Sequence, residues 1–125
     1  MKMRSPLVIL TLGLALVGTT EPLLAHHSTA MYDMASPITV TGVVTRFEWT
    51  NPHAFIYLNV KDDKGNVQEW AIEMMSLNHL KSYGWLHNTV KPGDSITCTG
   101  GAAKSGDPAM LSSLIKLSDG RMIKS

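Results

Sequence analysis

The sequence predicts an all-β domain with one short helix: a small five-stranded barrel of the OB type, preceded by a signal peptide and a short N-terminal arm. Two observations carry that expectation. Five runs rich in Val, Ile, Thr and aromatic residues are separated by turns of Gly, Pro, Asp and Asn, and one helical signal falls between the third run and the fourth. Three strands, a helix and two more strands, with a bent first strand, suit a barrel that closes its own edges within roughly 100 residues. An open sandwich or roll of the same strands is the alternative, and pairing of the first strand with the fourth distinguishes the two.

The chain opens on a leader. Met1 to Arg4 is basic, Pro6 to Gly18 is apolar and uncharged, and a polar stretch ends in Leu23-Leu24-Ala25. These are the three regions of a secretory signal. The apolar run is shorter than the ~18–20 residues that span a bilayer. Residues 1–25 are therefore expected to be removed, leaving a periplasmic or secreted protein with no membrane span. Residues 26–37 are expected to form an irregular arm ending at Ser36-Pro37, and 38–125 the barrel.

The first strand runs from Ile38 to Trp49. Its apolar phase changes along the way: Ile38, Val40 and Val44 share one parity, and Val43, Phe47 and Trp49 the other. A bulge or sharp bend near Gly42 would produce that change. Asn51-Pro52 marks a turn. Ala54, Ile56, Leu58 and Val60 then alternate as a second strand, and Asp62 to Asn66 makes a hairpin. A third strand covers Val67 to about Met74. Ser76 stands at the N-cap of a helix from Leu77 to Tyr83, which Gly84 ends. Lys91-Pro92-Gly93-Asp94 turns into a fourth strand, Ser95 to Thr99, closed by Gly100-Gly101. A fifth spans Met110 to Leu117, and Asp119-Gly120 leads to a short tail strand.

Charge narrows the function classes. Of 11 basic and 10 acidic residues, Lys2, Arg4 and Glu21 fall in the leader, which leaves nine of each sign. A domain without a concentrated basic patch lacks the electrostatic footprint for nucleic acid, so the expected partner is a protein or a small molecule. Cys98 is the one cysteine and cannot form an intramolecular disulfide; its alternation with Ile96 makes it a buried apolar side chain. There is no Gly-rich phosphate loop, Gly-x-Ser-x-Gly elbow, Cys-x-x-Cys or His-Glu-x-x-His, so an enzyme is not the first expectation. Glu69 and Glu73, with Glu48, are read as a solvated sheet face rather than paired acid and base.

Cleavage after Ala25 would make His26 the first residue, with an amine and an imidazole able to chelate one ion. His27 is adjacent, and His53 follows the Pro52 turn. Three such nitrogens suit a copper ion, and the thioethers of Met31 and Met34 suit its reduced form. His26, His27 and His53 are thus the candidate metal ligands. Solvated tail histidines are the plain alternative, and His79 and His87 are read as exposed polar residues. Trp49, Asn51 and Phe55 form a polar-aromatic cluster that would bind a ligand at the barrel rim or, failing that, shape the turn. Two further functional readings stay open: a metal-free interaction module using that rim, and a copper-dependent redox enzyme.

The chain also resembles a family of small secreted bacterial proteins classed as a domain of unknown function. The resemblance is carried by Ala25-His26-His27-Ser28, Trp49-Thr50-Asn51-Pro52-His53-Ala54, the Asp62-to-Gly65 turn followed by Trp70, Lys91-Pro92-Gly93-Asp94 and Asp119-Gly120-Arg121. It implies a secreted bacterial protein and no particular activity.

Overall fold

The computed structural model describes residues 29–125. The expected leader, His26 and His27 lie outside the described residues. The elements are β1 (Tyr32–Glu48), β2 (Phe55–Lys61), β3 (Val67–Glu73), α1 (Leu77–Ser82), β4 (Ser95–Ala103), β5 (Ala109–Lys116) and β6 (Met122–Lys124). β1 pairs antiparallel with both β2 and β4, β2 with β3, and β4 with β5. A parallel pairing of β3 with β5, Ile72 opposite Met110, joins the two ends. The five strands therefore close on themselves, and the β1–β4 pairing selects the OB-like barrel over the open sandwich. β6 adds to β5 as a sixth strand.

β1 spans 17 residues because it serves two neighbours in succession. Ile38 to Val43 pair with β4 and Val43 to Glu48 with β2. The change of apolar phase has its cause at Thr45 rather than Gly42. The register with β2 slips between Val44 and Arg46, and that extra residue moves the inward parity from Val44 to Phe47. Val43 faces out, 44% exposed. Gly42 is needed for a different reason: a Cβ there would stand 2.5 Å from the Asn59 carbonyl oxygen.

The strand also starts six residues before Ile38. Tyr32 and Asp33 pair with Ala103 and Ala102, so part of the arm is strand and β4 runs on through Gly100-Gly101. Between Asp33 and Ile38 the ladder is interrupted, and Pro37 sits in that interruption, where its missing N–H costs no ladder bond. Gly101 makes the crossing possible, since a Cβ there would lie 2.7 Å from the Asp33 oxygen and 2.6 Å from the Met34 sulfur.

Ile56, Leu58, Ile72, Ile96, Cys98, Met110 and Ile115 fill the barrel from the inward parity of their strands. Burial pushes the Cys98 thiol up to about 12, as suits a small apolar packing residue. Leu80 of α1 and Trp85 just after it pack into the same core, both fully buried. The Trp85 ring lies 6.0 Å from Phe47, and its Nε1 donates to the Lys124 carbonyl at 2.7 Å. One side chain thus ties the helical segment to both the first strand and the last. Trp85→Ala is expected to lower unfolding stability by about 3–5 kcal/mol, measured by urea denaturation; a loss below about 1 kcal/mol would mean that Trp85 does not hold these elements together.

Candidate functional site

The segment after β1 turns at Asn51-Pro52, whose peptide bond is cis, and delivers His53 to the edge of the barrel. The backbone there remains tied to β3: Met74 donates to the Ala54 carbonyl at 2.9 Å, and Ala54 to that of Met75 at 3.2 Å. His53 is thereby fixed beside the end of β3, where Glu73 stands. Its Nδ1 lies 2.5 Å from Glu73 Oε1. The other carboxylate oxygen, Oε2, accepts from the Tyr32 hydroxyl at 2.9 Å.

Glu73 is 7% exposed. The expectation of a solvated face fails here for a tertiary reason. Alternation assigns Glu69 and Glu73 to the same outer side of β3, but Tyr32 at the start of β1 closes over the second carboxylate only. Glu69 remains exposed and accepts from Thr45 Oγ1 at 3.5 Å; Glu48 pairs with Arg46 at 3.2 Å. In the described contacts the three carboxylates engage different side chains.

Beside this array lies a cavity of about 570 Å³. His53, His79, Met34 and Met75 line it, with Thr29 among its lining residues and Met74 and Leu111 as apolar wall. His79 is held as well: its Nδ1 is 3.0 Å from Ser76 Oγ. Ser76 occupies the N-cap position of α1 without capping it. The cap comes from Asn51, whose Oδ1 accepts from the Leu77 amide at 3.2 Å.

Of the three candidate metal-ligating histidines and the three rim residues singled out in the sequence, His53 is the one described at the cavity. Asn51 is engaged in that cap. Trp49 packs edge-on against Phe47 at 5.7 Å, and Phe55 stacks on Tyr57 at 6.2 Å on the outer face. None of these three lines the cavity. Met34 does, whereas Met31 points outward, 61% exposed. Tyr32, Glu73, Met75 and His79 were not expected as site residues. The Tyr32–Glu73 contact joins positions 41 apart, and no local pattern announces it. Among the described residues no three His, Cys, Asp or Glu side chains converge on one point, so a metal held here requires other donors.

A model of a family of unknown function, DUF6152, matches residues 14–112. The chain belongs to this family. No curated protein matches it. Among solved structures, the mitochondrial single-stranded DNA binding protein Rim1 of S. cerevisiae (Form2) is similar at a TM-score of 0.50 and 14% identity, over 66% of this chain and 93% of that one. A second structure of it (Form1) gives 0.48 and 15% identity over 66% and 91%. The Form2 likeness supports the OB-like fold and nothing of the ligand. No helix among the described residues is long and apolar enough to cross a membrane.

Burial raises the pKa of Tyr32 well above the ordinary tyrosine value, and its bond to Glu73 and the charge there add to the rise. The unfolded chain therefore releases this proton first, near pH 10. The contribution to stability is complete below that pH and is lost as pH climbs toward the folded value. Tyr32→Phe is expected to cost about 1–3 kcal/mol at neutral pH and to flatten the loss of stability above about pH 10. Parallel alkaline slopes in denaturation of the two proteins would refute the buried contact.

Proposed function

We propose that this chain is an exported binding or accessory domain that holds a copper ion through His26, His27 and His53. The observation that carries the proposal is the Glu73 contact to His53 Nδ1. A carboxylate behind an imidazole fixes its orientation, keeps the proton on the inner nitrogen and makes the outer one a better ligand. His53 Nε2 is then the donor available at the cavity. Chain length supports the rest. Thr29 lines the cavity, and His26 precedes it by three residues, about 10 Å of extended chain. The α-amine and imidazole of His26, with His53 Nε2, make a three-nitrogen set suited to copper(II); His27 is the adjacent donor. Bound copper would supply an ion able to change valence at a site open to small partners.

A second reading is favoured by one observation. Phe55 and Tyr57 stack on the outer sheet face, and the Arg46 guanidinium lies 4.0 Å from the Tyr57 ring centre. A metal-free interaction module would use this face to bind a protein or a planar small molecule. Nine charges of each sign outside the leader argue against a nucleic acid there.

Copper(II) titration of the chain beginning at His26 separates the two readings. One ion is expected to bind per chain, much more weakly with an extra residue before His26 or with His53→Ala, and about 10- to 100-fold more weakly with Glu73→Gln. Binding indifferent to all three changes would eliminate the site.

A further inference from the structure

We infer that the cavity beside Glu73 is itself a copper(I) site, with His53, His79, Met34 and Met75 as its ligands. It deepens the preceding reading by sharing His53 with it, but it needs neither His26 nor a free amine. Two independent features point to it.

The first is that both imidazoles are held by the same end. His53 Nδ1 meets Glu73 Oε1 and His79 Nδ1 meets Ser76 Oγ. With the proton on Nδ1 in each ring, the oxygen accepts and Nε2 keeps its lone pair. Both rings line one cavity. Orientation of a ligating imidazole by an oxygen partner on its other nitrogen is how protein metal sites fix their ligands. Ser76 makes this contact in place of capping its own helix, a task left to Asn51.

The second is where two methionines have gone. Met74 and Met75 are consecutive, yet Met74 is fully buried in the core and Met75 is 43% exposed. Met34 is 41% exposed, its sulfur seated where a side chain on Gly101 would otherwise be. Both exposed methionines are among the residues that line the cavity with the histidines. Thioether and imidazole donors select copper(I), while calcium and magnesium require oxygen ligands. Among the described residues no Asp or Glu side chain lines the cavity, and Lys124 is the charged side chain in its wall. The apolar walls of Met74 and Leu111 further favour the ion of lower charge.

The test is copper(I) titration, without oxygen, against a coloured copper(I) chelator. The protein is the secreted-length chain with one residue added before His26, which removes the amine chelate. One copper(I) per chain is expected to be withheld from the chelator. His79→Ala, or Met34→Leu with Met75→Leu, is expected to weaken it about 10- to 100-fold, while copper(II) binding by the chain starting at His26 is unchanged in the same variants. In the unsubstituted protein, the methyl NMR signals of Met34 and Met75 should shift with copper(I) while that of buried Met110 stays in place. No retained copper(I), or retention with unmoved Met34 and Met75 signals and unaffected by the substitutions, overturns the inference. Because the extended chain lacks the N-terminal chelate, either result stands whether or not copper(II) binds at His26.

Discussion

Enclosing a carboxylate costs several kcal/mol of hydration unless partners replace the water. Glu73 is enclosed, and much of the molecule's irregularity serves to surround it. Tyr32 reaches one oxygen because β1 begins early and pairs with the end of β4; that pairing needs Gly101, the broken ladder between Asp33 and Ile38, and Pro37 within the break. His53 reaches the other oxygen because the Asn51-Pro52 turn is held against α1 by the Asn51 cap. Beneath it, Ser112 Oγ donates to the Glu73 carbonyl and receives a bond from Ser125 Oγ, fastening β3 to β5 and to the end of the chain. The site and the closure of the barrel thus share residues.

What the sequence made legible was whatever a local pattern records. Strand order, the hairpin at Asp62 to Asn66, the short helix between β3 and β4 and the burial of Cys98 all follow from alternation and turn chemistry. The β1–β4 pairing that closes the barrel then selected between the two architectures the pattern allowed. The parity change in β1 was visible too, but its place was misjudged. Gly42 draws attention as a glycine in a strand, whereas the inserted residue is Thr45, which no composition rule marks.

The candidate site was only partly legible for the same reason. His53 stands in a recognisable turn motif. Glu73 alternates correctly for an exposed strand face, and residues distant in sequence enclose it, His53 20 positions earlier and Tyr32 41 positions earlier among them. Asn51 reads equally well as ligand or turn residue until the Leu77 amide is seen against it. Trp85 has no periodic neighbours, yet it is the largest fully buried side chain among the described residues. Burial imposed by distant segments is the information that a one-dimensional pattern lacks, and functional polar groups depend on it most.

The central claim is that Glu73 fixes the proton of His53 on Nδ1 and leaves Nε2 as the donor. Nitrogen-15 NMR of the histidine rings tests it directly, in the unmodified protein and in Glu73→Gln, in mildly alkaline buffer. The account predicts the Nδ1–H form of His53 in the first and its loss in the second. An Nε2–H ring in both proteins, unaltered by the substitution, would contradict it.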